Sequence, residues 1–164
     1  MKSRRISIIG ISGSGKSTYS RKLSVQTELP LFHMDQLFWK GNWEEVSEED
    51  YLKAHQKLIE KDKWIIEGYI DTKMANRLDR SDLIIFLDYP GWLCAWWVIK
   101  RWLRHRSESR PELPKEALEK LKGEFLWRVF TRKERVPLME ALQSAKPYNL
   151  ITIKSPHQLN NLDA

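Results

Sequence analysis

Cysteine is almost absent from this chain of 164 residues, which contains only Cys94. A single cysteine cannot form an intrachain disulfide, so the sequence excludes a disulfide-stapled scaffold and favours a reducing, cytoplasmic location. Glycine and proline are sparse at seven each, which excludes collagen-like and low-complexity chains. With 41% hydrophobic and 30% charged residues, the composition is that of an ordinary globular protein of about one domain.

The sequence also lacks an apolar run long enough to cross a bilayer. The longest run, residues 83–99, is interrupted by Asp88, Pro90 and Gly91, whereas a membrane-spanning helix needs about 20 consecutive apolar residues. The first residues are basic, as in a signal peptide, but the apolar run behind them, residues 6–11, is too short for the hydrophobic part of such a signal. We therefore expect no membrane partner.

The net charge of +6 is confined to one segment of the chain. Residues 1–97 carry fourteen basic and fourteen acidic side chains, whereas residues 98–136 carry twelve basic and six acidic ones. Such a segment attracts phosphate groups of a nucleotide, a small substrate or a nucleic acid, or it is simply a solvated helical face. We expect one domain over residues 1–164, with a basic, helical, lid-like segment at about 98–136.

Strand-like and helix-like segments alternate along the chain, which predicts parallel strands connected by helices. Helices are expected after Ser47 as an N-cap, from Pro114 until Pro137 breaks the helix, and after Ser155. The predicted strands are residues 6–9, 31–34, 64–68, 83–88 and 150–153.

Residues 10–17 match the phosphate-binding pattern G-x-x-x-x-G-K-S at every required position, between a predicted strand and a predicted helix. Small residues let backbone N–H groups converge on a phosphate, Lys16 reaches the β- and γ-phosphates, and the Ser17 hydroxyl binds Mg²⁺. A Gly/Ser-rich turn that binds nothing is the disfavoured alternative. The residues predicted to bind ATP are Gly10, Ser12, Gly13, Ser14, Gly15, Lys16, Ser17 and Thr18.

Three carboxylates follow predicted strands, at the edge of a parallel sheet where ligands gather. Glu67 is the favoured partner of Mg²⁺ or its water, because Gly68 beside it lets backbone approach a ligand closely. Asp35 and Asp88 are each as consistent with a turn or a helix cap as with a role in chemistry.

At this point the sequence resembles a known family. Residues 9–18, 33–39, 64–69, 87–90 and 98–101 are similar to adenylate-kinase-related P-loop kinases, most closely the bacterial DNA topology modulation (FlaR-like) proteins. The resemblance implies a three-layer α/β/α P-loop NTPase fold with a five-stranded parallel sheet in the order 2-3-1-4-5.

The same resemblance assigns roles to individual residues. It implies that Glu67 takes the Walker B position beside Mg²⁺ and that Asp35 faces the acceptor hydroxyl. Arg101 and Arg104 would belong to a lid that closes on the transferring phosphoryl group, and residues 154–156 would lie beside the adenine. The chain departs from the family pattern at four positions, where Asp, Asn, Arg and Arg are usual: Glu67, Tyr69, Gly91 and Trp97.

Two functions stand out from these patterns. The first is a small-molecule kinase that transfers the γ-phosphoryl group of ATP, with Mg²⁺, to an unidentified acceptor. The alternative is a nucleic-acid-associated P-loop ATPase that affects DNA topology through residues 98–136, and a regulatory P-loop switch is a weaker third reading. For the kinase, the predicted catalytic residues are Lys16, Asp35, Glu67, Arg101 and Arg104, and the predicted metal ligands are Ser17 and Glu67.

Overall fold

A computed structural model describes residues 3–40, 44–105 and 121–162. The strands are β1 (Arg5–Gly10), β2 (Leu31–His33), β3 (Trp64–Glu67), β4 (Leu83–Leu87) and β5 (Leu150–Ile153). The helices are α1 (Lys16–Thr27), α2 (Met34–Phe38), α3 (Glu48–Ile59), α4 (Asn76–Asp79), α5 (Gly91–His105), α6 (Gly123–Phe130), α7 (Arg135–Ala145) and α8 (Pro156–Leu162), with a 3₁₀ helix at Thr72–Met74.

The five strands form one parallel sheet in the order β2-β3-β1-β4-β5. This confirms the predicted strand order, and the five predicted strands agree with the observed ones to within a residue or two at each end. Because the connections leave β1 and β3 in opposite directions, the carboxyl ends of these two strands border the crevice in which such sheets bind ligands.

Alternate residues of the central strands build two separate cores. One face of the sheet, with Ile8 and Ile85, packs against α1 and α5. The other face, with Ile9 and Phe86, packs against α3 and α7. Most of the apolar run 83–99 belongs to these cores, whereas Trp92 and Trp96 are exposed. Among the residues that the structure describes, no helix has the length and apolar content to cross a membrane.

Two of the predicted helix boundaries are confirmed and one is wrong. Ser47 Oγ accepts a hydrogen bond from the backbone N–H of Asp50, as an N-cap should. Ser155 Oγ caps α8 in the same way through the N–H of Gln158. The prediction that Pro137 ends a helix is wrong, because Pro137 lies in the first turn of α7. Backbone N–H groups in the first turn have no acceptor within the helix, so a proline there costs no helical hydrogen bond. The predicted helix start at Pro114 lies outside the described residues.

Candidate active site

The loop between β1 and α1 has the geometry that phosphate binding requires. Gly13 has a φ of +78°, and a Cβ there would lie 2.5 Å from the carbonyl oxygen of Cys94 in α5, so only glycine fits. Helix α1 begins at Lys16 without a side-chain cap. The N–H of Thr18 donates to the Gly15 carbonyl, and those of Lys16 and Ser17 are left for a ligand within the described part of the chain. The Ser14 hydroxyl is buried and has no hydrogen-bond partner in the described part of the chain. These features suit a bound anion.

Glu67 lies at the carboxyl end of β3, directly beside this loop. Its carboxylate accepts hydrogen bonds from Ser17 Oγ at 3.0 Å and from His33 Nδ1 at 2.6 Å. Burial raises the pKa of Glu67, but the His33 hydrogen bond and the positive charge of Lys16 outweigh burial and hold that pKa below its usual range. A hydroxyl and an ionised carboxylate in contact are the oxygen ligands that Mg²⁺ prefers.

His33 lies beside Glu67 in the candidate site, where the sequence analysis did not place it. It ends β2, and the parallel register places it directly opposite Glu67 on β3. Its ring is mostly buried and donates to the Glu67 carboxylate, so it fixes the orientation of that group. The sequence signal for this contact is that His33 and Glu67 both end strands. That signal identifies a contact only when the register between β2 and β3 is known.

Glu134 is a second unanticipated residue. Its carboxylate accepts hydrogen bonds from the backbone N–H of Ser12 at 2.7 Å and from Ser12 Oγ at 3.0 Å. Arg128 Nε lies 3.5 Å from the same carboxylate. The segment between α6 and α7 is thereby tied to the phosphate-binding loop, although 122 residues separate the two partners in the sequence.

One large cavity of about 1700 Å³ brings together all of the residues predicted as site residues. Asp35 enters it from the first turn of α2, and Arg101 and Arg104 enter it from successive turns of α5. Lys16 Nζ donates to the carbonyl of Ile11 within the loop, at 2.9 Å. Pro156, at the start of α8, also lines the cavity and belongs to the segment 154–156 that is expected near the adenine.

Asp88, at the end of β4, forms ion pairs with two arginines. Arg135 donates to both of its carboxylate oxygens, at 2.9 and 3.0 Å, and Arg132 donates to one of them. The Asp88 carboxylate is only 10% exposed. It anchors the α6–α7 segment to the end of β4. This favours a structural role for Asp88 over a role in chemistry, but the structural role is an ion pair and not the expected turn or helix cap.

One departure from the family pattern, Gly91, has a packing reason, and a second, Trp97, has a defined packing partner. A Cβ on Gly91 would collide with the backbone carbonyl of Phe130, so α6 packs where an arginine side chain would have to pass. Trp97 packs edge-on against Tyr89, with ring centroids 5.6 Å apart, and lines the cavity beside Gly15. The cavity therefore takes its arginines from other positions.

The described residues contain no cluster of three or more His, Cys, Asp or Glu side chains suited to a metal ion. The pair of Ser17 and Glu67 is instead a partial set of ligands. Mg²⁺ commonly binds to one or two protein groups and completes its shell with phosphate oxygens and water. The residues present thus fit a metal that binds together with a nucleotide.

No protein-family model matches the chain, and no curated protein matches it. Solved structures do match. The match to an unliganded sugar kinase from Janibacter sp. HTCC2649 has a TM-score of 0.61 at 17% identity and covers 99% of this chain and 92% of that one. The match to shikimate kinase from Acinetobacter baumannii, in complex with shikimate, has a TM-score of 0.56 at 14% identity and covers 98% and 92%.

A third match is to deoxyadenosine kinase from M. mycoides with bound dATP, at a TM-score of 0.52 and 18% identity, covering 97% of this chain and 99% of that one. These identities are low, but the matches extend over nearly the whole length of each chain. Together with the sheet order and the phosphate-binding loop, they establish that this chain has the fold of the P-loop kinases.

Proposed function

We propose that this protein is an ATP-dependent phosphotransferase acting on the hydroxyl group of a small molecule. The observation that carries the proposal is the contact of Ser17 with Glu67, at 3.0 Å, beside a complete phosphate-binding loop. That contact lies in a cavity that also contains Asp35 and Arg101. The similar solved structures are kinases of a sugar, of shikimate and of deoxyadenosine, which supports the reaction class and leaves the acceptor open.

One group of residues is proposed to bind the nucleotide and its metal ion. The loop N–H groups and Lys16 hold the β- and γ-phosphates and stabilise the charge that develops on them. Ser17 and Glu67 would hold Mg²⁺, which would supply positive charge to neutralise the phosphates. Arg101 and Arg104 are three residues apart on α5, so they share a helix face and can both engage the transferring phosphoryl group.

Asp35 is proposed to act on the acceptor. Its carboxylate orients the acceptor hydroxyl and takes the proton of that hydroxyl as the oxygen bonds to the γ-phosphorus. The bond from that phosphorus to the β–γ bridging oxygen breaks in the same step, and ADP leaves. A carboxylate in the cavity, on the short helix that follows β2, suits this role.

The nucleic-acid alternative is less well supported by the contacts of the basic segment. Arg132 and Arg135 pair with Asp88, and Arg128 lies beside Glu134. Arg101 and Arg104 line the cavity. These cations are therefore directed to internal partners or to the cavity, whereas residues 106–120 lie outside the described part of the chain. The kinase proposal uses these groups at short range.

The proposal is tested by the variant Asp35→Asn in a transfer assay with γ-labelled ATP and a protein-free microbial metabolite extract as the source of acceptor. We expect transfer to fall about a hundredfold, the usual contribution of a positioned acid or base. ATP affinity and melting temperature should stay close to those of the wild type, because the change leaves the shape of the side chain intact. Asp79→Asn, at an exposed site outside the cavity, is the matched control. Full transfer by Asp35→Asn would contradict the assignment.

A further inference from the structure

The two sides of the cavity carry opposite charge. The segments that follow β1 and β4 line it with cations of α1, α5 and the α6 region. The segments that follow β2 and β3 line it with carboxylates, and the only cation among their described lining residues, Lys73, pairs with Glu48. Among the described lining residues, the first side carries nine cations, such as Lys16, Arg101 and Arg128, against the single carboxylate Glu134. Once Glu48 is paired with Lys73, the second side keeps the carboxylates Asp35, Glu45 and Asp71.

The negative side is the one that contains Asp35 and so faces the acceptor. Two tyrosines there respond to its charge. Burial raises the pKa of Tyr69, and the carboxylate of Asp71 on this side raises it further. Glu134 raises it from the opposite side, and the charge of Arg128 lowers it. Burial likewise raises the pKa of Tyr51. The positive charge of Arg77 lowers this pKa, and the negative charges of Asp35 and Asp71 raise it. A second negative charge placed between these side chains would meet repulsion.

Arg77 is a further cation whose charge acts on Tyr51 in this region, but it is not available to a ligand. It is fully buried, and its Nη2 atom lies 3.4 Å from the carbonyl oxygens of Gly68 and Tyr69. The charge of Arg77 therefore offsets part of the negative field on this side of the cavity. Its buried guanidinium cannot bind a carboxylate or phosphate of the acceptor.

The side of the cavity that contains Asp35 also carries aromatic side chains, which form an aromatic wall. The Phe38 ring makes edge contacts with Trp39 at 4.7 Å and with Tyr51 at 5.2 Å between centroids, and all three side chains line the cavity. Tyr69, 37% exposed, adds a phenol hydroxyl. Rings of this kind pack against a flat or apolar molecular face, while phenols and carboxylates form hydrogen bonds with hydroxyl groups.

We infer that the acceptor is a ring compound that bears hydroxyl groups and no negative charge. The inference rests on the proposed kinase function and narrows it, because it excludes acceptors that carry a carboxylate or a phosphate. Carboxylates bind the acceptor's hydroxyls, the aromatic wall packs against its ring, and the cations of the opposite side are left to the phosphates of the nucleotide.

The test separates acceptors by charge before they are identified. A protein-free microbial metabolite extract is passed over a strong anion exchanger at neutral pH, and the unbound and bound fractions are each incubated with the protein and γ-labelled ATP. We expect the new labelled ester in the unbound fraction, at least about tenfold above the bound one. Label mainly in the bound fraction overturns the inference and leaves the kinase function standing. Label in neither fraction overturns both.

A variant tests whether charge is the reason. Asp71→Asn keeps an oxygen that can accept the hydrogen bond from the N–H of Lys73, now at 2.9 Å, so the fold should be preserved. We expect this variant to raise the label in the bound fraction, relative to the unbound one, severalfold. Asp79→Asn, outside the cavity, should leave the ratio unchanged. An unchanged ratio in Asp71→Asn would overturn the electrostatic argument.

Discussion

The buried histidine of α3 should make this protein less stable in mild acid. His55 is 2% exposed, and its Nε2 atom has no hydrogen-bond partner among the described residues. Burial, with a smaller contribution from the charge of Arg77, lowers the pKa of His55 from 6.5 to about 3. In the folded protein this ring therefore stays neutral at pH values where the unfolded chain takes up a proton.

The size of the effect follows from the two pKa values. The stability contributed by the neutral ring is complete above the unfolded pKa of 6.5, and it declines as the pH falls toward the folded value. Each unit by which the pH falls in this range lowers the free energy of unfolding by about 1.4 kcal/mol. Between about pH 7.5 and about pH 5, His55 should thus reduce the free energy of unfolding by roughly 2 kcal/mol.

Urea unfolding of the wild type and of His55→Leu at these two pH values isolates the contribution. Leucine has no ring to protonate, so the variant should lose roughly 2 kcal/mol less than the wild type on acidification. His157→Gln, at an exposed position of α8, is the control and should behave like the wild type. Equal losses in His55→Leu and the wild type would refute the reasoning.

Two further predictions concern the support of the site. Gly13→Ala should destabilise the protein by at least about 2 kcal/mol, because it forces a side chain into a positive φ and against the Cys94 carbonyl. Thermal unfolding should find no such loss for Gly123→Ala, which has open space around it. Asp88→Asn should cost about 1–3 kcal/mol in urea unfolding, since it removes the charge that holds Arg132 and Arg135. A wild-type midpoint for Asp88→Asn would show that this anchor is dispensable.

Local patterns were enough to predict most of the fold. Strands such as residues 83–87 are continuous apolar runs because both faces of the sheet are covered, and this signal needs no tertiary information. The phosphate-binding loop is similarly local, because eight consecutive residues specify it. The strand order came from the family resemblance and is confirmed, whereas membership of the topology modulation group stays a prediction.

The parts of the site that sequence reasoning missed depend on distant partners. The contact of Glu134 with Ser12 and the pairing of Asp88 with Arg135 each join segments far apart in the chain. The contact of His33 with Glu67 depends on the pairing register of two strands. Pro137 was misjudged because its effect depends on whether the helix has already begun, and here α7 starts two residues earlier.

The central claim is that the loop at residues 10–18 binds a nucleoside triphosphate through Lys16. Calorimetric titration of ATP with Mg²⁺ into the wild type and Lys16→Ala tests it most directly, with Lys57→Ala, exposed on α3, as the control. We predict that Lys16→Ala weakens binding at least tenfold, about 1.4 kcal/mol, and that Lys57→Ala binds like the wild type. Equal affinity of Lys16→Ala and the wild type, or no binding by either, would contradict the account.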